Sequence, residues 1–394
     1  MAFQQDELIS QWRGPQRNGI YPEKGLLKKW PVKGPHEKWS FEGLGTGHGS
    51  VSFTKDKLFV LGMPDSTGKL YAFDLSGKLL WMKMYGPEWN TNYVGPRSTP
   101  TIVGNLIYFE SGKEVVYCYN ADTGELKWAV DLLKKFDAKN VEWGKAECLL
   151  ITGNRLICTP GGPKNNIVAL NRLTGETIWT SPGNSEPPAY NSPILFKHNN
   201  TSLIVTLTSE SIVGIDAETG KFYWQVPQAM EYKNNANTPV YSNGRIYVVS
   251  DMEKPNSGLV SLKLSDDGKN VSVEWRNQDF TALMGGIIVK EGYIYGSKID
   301  KKSWYCIDVK TGKTQYISKA IGDGAIIFAD GLFYCYSMDG RMSLVEANPS
   351  SFNVISSFRI TKGTDQHWSH PVIHDGRLYL RHGNALMVYD IKKE

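Results

Sequence analysis

Apolar residues come in short alternating bursts along most of the chain, and the bursts fall in groups of four. Residues 101–128 show one group: Thr101-Ile102-Val103, a Gly104-Asn105 turn, Leu106-Ile107-Tyr108-Phe109-Glu110, a polar break, Val115-Val116-Tyr117-Cys118-Tyr119-Asn120, and Leu126-Lys127-Trp128. Bursts of three to six residues, rich in β-branched and aromatic side chains and bounded by turn formers, predict strands. Gly153-Asn154, Asn243-Gly244, Glu291-Gly292, Asp330-Gly331 and Asp375-Gly376 fill the slot of the first turn in other groups, and such pairs are strong hairpin signals. Each group therefore predicts a four-stranded antiparallel meander.

The last turn of each group is the most regular. Asp122-Thr123-Gly124 before Trp128 recurs as Leu173-Thr174-Gly175 before Trp179 and Glu218-Thr219-Gly220 before Trp224, with Ser76-Gly77 before Trp81 as a variant. Asp74, Asn120, Asn171, Asp216 and Asp308 stand three or four residues ahead of the glycine, where a short polar side chain bonds the following backbone. Trp39, Trp81, Trp128, Trp179, Trp224 and Trp275 close groups, and Tyr316 and Phe358 take that place in two more, at spacings of 41 to 51 residues. A period of this length marks propeller blades.

The final group, residues 369–391, has three strands and stops, while Lys38-Trp39-Ser40-Phe41 is an outer strand without a group. The two complete each other, and closing the ring removes exposed sheet ends. The expected fold is all-β: an eight-bladed β-propeller of four-stranded antiparallel blades over residues 37–394, closed by an N-terminal strand pairing with the C-terminal blade. Residues 1–36, with Gln11-Trp12-Arg13-Gly14-Pro15, read as a loop or clasp.

Composition narrows the function classes. A formal charge of +4 over 394 residues gives no basic surface that calls for nucleic acid or an anionic membrane. No apolar run is long enough to form a transmembrane segment. Met1 to Ile9 has no basic and apolar signal pattern, so a cytoplasmic protein and one whose signal is missing from this sequence both remain open. Phosphate loops, nucleophile elbows and zinc motifs are not found.

The run of small residue, Asp or Asn, two residues, Thr-Gly, three residues and Trp resembles the repeat of pyrroloquinoline-quinone (PQQ)-type propellers, from Trp39 to the end of the chain. The opening Gln11-Trp12-Arg13-Gly14-Pro15 with Gly25-Leu26-Leu27-Lys28-Lys29-Trp30 is similar to the start of a bacterial group of secreted propeller-repeat proteins of uncertain function, which implies a periplasmic or secreted location. The resemblance implies that the repeat tryptophans dock against the adjoining blade. Quinoprotein alcohol dehydrogenases share the repeat type, and there PQQ is stacked between a Trp and a disulfide of adjacent cysteines beside calcium. Cys118, Cys148, Cys158, Cys306 and Cys335 include no adjacent pair, which disfavours PQQ with calcium, and no cofactor is assigned. Soluble sugar dehydrogenases have fewer blades. The lipoprotein that helps assemble outer-membrane β-barrels has eight blades and comparable length and works by binding partner segments, which implies a scaffold or binding role.

In a propeller, the residues just before each innermost strand converge on one mouth of the central channel. His48, Arg97, Lys145, Glu147, Tyr190, Asn191, Asn235, Asn237, Asp323, His367, Trp368 and His370 are therefore the candidate ligand-binding residues of one funnel. Cations suit carboxylate or phosphate, amides suit hydroxyls, and aromatics suit ring faces. The bland alternative is a wet polar axis, with Asp323 as a turn residue and Trp368 as packing. The two histidines His48 and His370 have no third ligand at a diagnostic spacing, so no metal site is assigned. Three functions remain: a non-catalytic, monomeric binding or scaffold protein with a protein partner or a small anionic or sugar ligand; an enzyme or sugar-binding protein using the funnel; and, least favoured, a PQQ-dependent dehydrogenase.

Overall fold

The computed structural model describes residues 9–230, 235–251, 255–298 and 302–393. Residues 1–8, most of the stretch read for targeting signals, lie outside them. Strands form eight antiparallel blades in sequence: blades 1 to 7 span residues 52–87, 101–131, 150–181, 194–227, 240–277, 287–318 and 324–359. Blade 8 joins Val372–His374, Arg377–His382 and Ala385–Asp390 to His36–Phe41 as its outer strand. In that seam Trp39 pairs with Val388 and Phe41 with Leu386, so the ends of the chain close the ring as the repeat count requires. No helix among the described residues is long and apolar enough to cross a membrane.

The turn chemistry expected from sequence is in place. Asn120 Oδ1 accepts from the Asp122 and Thr123 amides at 2.9 Å each, and Asp216 Oδ1 does the same for Glu218 and Thr219 at 3.0 and 2.8 Å. The glycine that follows has a second duty. The Trp179 ring of blade 3 lies on Gly220 of blade 4 so closely that a Cβ there would sit 2.4 Å from it, and the same holds at 2.5 Å for Trp39 on Gly77 and 2.6 Å for Trp275 on Gly312. Several of the indoles also donate across the seam: Trp128 Nε1 to Arg172 O at 3.0 Å, Trp224 Nε1 to Gly268 O at 3.2 Å and Trp275 Nε1 to Val309 O at 3.0 Å.

The segment expected as a loop or clasp lies inside the ring. Ile9–Ser10 pairs antiparallel with the innermost strand of blade 2, and Ile20–Tyr21 pairs parallel with that of blade 7. Those edges face the channel, so the chain between them crosses it. Two buried arginines anchor the crossing: Arg13 donates to Ile287 O of blade 6 at 2.7 Å, and Arg17 donates to Leu149 O at 3.0 Å and to Cys148 O, both entering blade 3. Ser10 Oγ accepts from the Phe53 amide of blade 1 at 2.9 Å. The segment is thus a plug. Residues 22–35 then run outward, with Trp30 edge-on to Tyr334 and Phe358.

The ring-on-glycine contact predicts unequal costs for one substitution. Gly153 and Gly220 both hold positive φ, but a Cβ meets nothing within 4 Å at Gly153. Gly153→Ala should cost only the left-handed backbone penalty of about 1–2 kcal/mol, and Gly220→Ala should cost at least twice that, because the Trp179 ring must also move. Urea unfolding midpoints of the two variants check this, and equal costs would remove the ring from the account.

Candidate functional site

Beside the plug lies a cup of about 480 Å³, within the roughly 300–1,000 Å³ usual for small-ligand sites. Trp12 of the plug belongs to its lining, with Trp143, Tyr190, Tyr93 and Trp368 as further aromatic surfaces and Leu283, Met284 and Met338 between them. The rings are mutually tilted: Tyr93 and Trp368 at 4.9 Å and 53°, Trp143 and Tyr190 at 5.9 Å and 36°. The Tyr190 hydroxyl accepts from the Trp143 amide at 3.0 Å, tying two walls together.

Five of the twelve candidate residues line the cup: His48, Arg97, Tyr190, Trp368 and His370. His370 sets its ring edge-on to Trp12 at 5.1 Å, and its Nε2 lies 3.0 Å from Met284 O. A carbonyl only accepts, so Nε2 carries the proton. Burial, aided by the Arg13 charge, pushes the His370 imidazolium down to about 3; burial, then Arg381 and Arg97, does the same for His48. Both are neutral at physiological pH. Arg97 donates to Asn92 O at 3.0 Å and Tyr93 O at 2.6 Å, which holds the rim loop. Burial lowers Arg97 to about 10, so it stays charged. Across the blade 8 to blade 1 seam, Ser50 Oγ donates to His370 O and Ser369 Oγ to His48 O, each at 2.7 Å.

The other seven do not line the cup, and for all but Asp323 the reason is the alternation of the extended backbone that leads into the innermost strands. Ala146 and Cys148 line it while Lys145 and Glu147, one step out of phase, are buried beside it. Tyr190 and Ser192 line it while Asn191 turns away to bond Thr206 Oγ1 at 2.9 Å. Ala236 lines it while Asn235 Nδ2 bonds Val249 O at 2.8 Å and Asn237 Oδ1 accepts from the Gly286 amide at 3.0 Å. Asp323 is buried outside the lining. His367 stacks on His382 at 3.6 Å and bonds the Tyr336 hydroxyl at 2.5 Å. Eleven of the sixteen lining residues are outside the candidate set, among them the aromatic Trp12, Tyr93 and Trp143, and the indole of Gln11-Trp12-Arg13 was the available signal for the first.

Lys145 belongs to a buried ionic cluster between blades 2 and 3. Its Nζ donates to Thr159 Oγ1 at 3.0 Å and lies 3.4 Å from Glu147, whose carboxylate accepts from the Thr159 hydroxyl. Glu110 and Glu114 are buried beside them. Desolvation, opposed by Lys145 and reinforced by the neighbouring carboxylates, raises Glu110 far above the ordinary range and brings Glu114 to about 7, and desolvation opposed by Lys145, Thr159 and Arg17 raises Glu147. Burial works to lower Lys145, yet Glu147, Glu114 and Glu110 hold it above its usual value. One lysine among three glutamates leaves protons in the cluster at neutral pH.

A family model described as outer membrane protein assembly factor BamB matches residues 30–131 and 66–318. The chain belongs to this family. Curated relatives include the tetrathionate hydrolase of Acidithiobacillus ferrooxidans, 27% identical over 34% of this chain and 29% of its own, and the BamB of Kangiella koreensis, 26% identical over 40% of this chain and 37% of its own. The matches thus span about a third of either relative. Among solved structures, BamB from Moraxella catarrhalis aligns over 91% of this chain and 100% of its own, with a TM-score of 0.65 at 14% identity. Quinohemoprotein alcohol dehydrogenase from Comamonas testosteroni aligns over 96% and 79%, with a TM-score of 0.69 at 12% identity. At such identities these likenesses establish the fold alone.

The dehydrogenase likeness raises the quinone and calcium again, and the described lining does not fit them. Calcium needs several oxygen ligands, and no carboxylate among the described residues lines the cup. PQQ carries three carboxylates, against one arginine in the lining and two neutral imidazoles. Cys148 lines the cup without an adjacent cysteine.

The ionic cluster predicts a pH dependence. A carboxyl raised from its ordinary 4.5 to about 7 on folding, as at Glu114, stabilises the fold fully below 4.5 and loses that contribution as pH rises to about 7. The urea midpoint should therefore fall between pH 5 and 8, and Glu114→Gln should flatten the fall and exceed the wild type at pH 8. A wild-type midpoint that rises over this interval, or a variant with unchanged slope, would refute the assignment.

Proposed function

We propose that this protein is a non-catalytic binding propeller of the periplasmic or extracellular space, and that the plugged cup is its recognition site. The observation that carries the reading is the plug itself: it pairs with the innermost strands of blades 2 and 7 and contributes an indole to the lining of the cup. A wet axis would gain nothing from an indole in its wall. Two further features support binding over catalysis. Acid/base work needs groups near neutrality at the site, whereas both cup histidines titrate near 3 and neither Glu147 nor Asp323 lines it. Membership of a family described as an assembly factor also supports a binding role as a class, whether the occupant is a small molecule or a side chain presented by a protein partner.

A ligand that binds only the folded state raises the melting temperature by mass action. A thermal-shift and tryptophan-fluorescence screen should cover neutral and acidic sugars, aromatic acids, amines, and PQQ with calcium. The expected result is at least one saturable ligand whose shift falls at least tenfold in affinity in Trp368→Ala, with no ligand turned over. Shifts unaffected by Trp368→Ala, or none from any class, would overturn the cup as the recognition site.

A further inference from the structure

We infer that the cup takes a flat aromatic ligand carrying a single negative charge. This rests on the cup being a binding site and goes further by naming the ligand class. The aromatic part follows from what faces the cavity and what does not. Sugar recognition needs hydroxyl partners, and the amides that could supply them are committed elsewhere: Asn235 to Val249 O, Asn237 to Ala282 O and Gly286 N, and Asn191 to Thr206. The Thr99 and Ser192 hydroxyls of the lining already accept from the Ser50 and Cys148 amides at 2.9 Å each, and the rest is mainly ring surfaces set at 36° to 69° to one another, with methionine and leucine among them. Tilted ring walls of this kind gain most from a rigid planar guest, which meets one ring face to face and others edge-on.

The charge follows from the arginines. Arg97 is the one charged side chain among the described residues of the lining. Both of its hydrogen bonds go to backbone carbonyls, Asn92 O and Tyr93 O, so no carboxylate is bonded to it. Behind the cup wall, Arg13 lies 5.7 Å over the Trp12 ring and donates to Ile287 O, and Arg381 donates to Gly49 O and Leu61 O at 3.1 and 2.6 Å. Arg13 and Arg381 are buried, so water screens them little, and with Arg97 at the rim they set a positive potential at the cup that Glu88 near Arg97 and Asp365 near Arg381 only oppose from outside its lining. That potential opposes a quaternary ammonium, which an aromatic box would otherwise suit, and favours an anion. One arginine at the surface answers to one carboxylate, which separates this ligand from a tricarboxylated quinone.

Isothermal titration with four probes tests the class: 2-naphthoate, 2-naphthamide, glucuronate and PQQ. The expected order is 2-naphthoate at least tenfold tighter than 2-naphthamide, with glucuronate and PQQ weaker than both. Arg97→Gln should remove the difference between acid and amide, whatever the freed rim loop costs both, and Tyr93→Ala, at the exposed rim, should weaken acid and amide alike. Equal binding of acid and amide to the wild type, or equal losses of both in Arg97→Gln, would overturn the charge assignment. Tighter binding of glucuronate or PQQ would overturn the ligand class and leave the cup standing as a binding site. Failure of all four probes would overturn the inference, while the wider screen decides separately whether the cup binds anything.

Discussion

The contact on which the ring depends is an indole laid on a glycine. Each blade buries only two faces, both against neighbours, so a propeller holds together through a seam repeated around the axis. Here the seam joins the Trp ending one blade to the Thr-Gly turn of the next, and the glycine is required twice over, once for its positive φ and once because a Cβ would enter the ring. Where the indole also donates to a carbonyl across the seam, as Trp128 does to Arg172 O, its one polar group is satisfied at the point of closest approach. The same motif therefore sets the angle between blades and ties the turn of one to the outer strand of another.

A ring built on that seam still has two weak points: where the ends of the chain meet, and the axis, where eight innermost strands expose edges. The N-terminal forty residues address both. His36–Phe41 completes blade 8 and presents Trp39 to Gly77 of blade 1, so the closing seam uses the same contact as those at Gly124, Gly175, Gly220 and Gly312. Ahead of it, the plug pairs with the free inner edges of blades 2 and 7 and spends two arginines on carbonyls of blades 3 and 6. Buried guanidinium groups are costly unless bonded, and inner-strand carbonyls near the axis are acceptors that the blades themselves do not use up. The plug is thus stabilised by groups that the propeller geometry leaves available.

The fold was legible in the sequence because its determinants are local and repeated: turn Asn or Asp, Thr-Gly, Trp, and alternating strands between them. The candidate cup was legible in part. Naming the segments that reach the mouth required only the blade count, and His48, Arg97, Tyr190, Trp368 and His370 came from it. Which residue of each segment faces inward depends on strand phase, and a shift of one residue exchanges the faces; Lys145 and Glu147 were read on the wrong side of Ala146 and Cys148 for that reason. The plug was not legible at all. Gln11-Trp12-Arg13-Gly14-Pro15 has loop chemistry, and nothing local in a loop says that its partners are strands some ninety and three hundred residues away.

That division has a physical consequence for function. The blades are interchangeable, and their seams carry no information about a ligand, which is why one propeller architecture serves proteins as different as an assembly factor and an alcohol dehydrogenase. Specificity must come from what breaks the eightfold repetition. In this chain three features break it at the cup: the plug, the rim loop tied down by Arg97, and the His48 and His370 pair at the closing seam. The plug and the histidines meet directly, since Trp12 and Arg13 sit against His370, and the rim loop meets the blade 8 side through the Tyr93 ring against Trp368 at 4.9 Å. Ring closure and site formation are therefore coupled: the segment that stabilises the propeller also supplies part of the lining of its cavity, and the cup can be complete only when the chain has closed on itself.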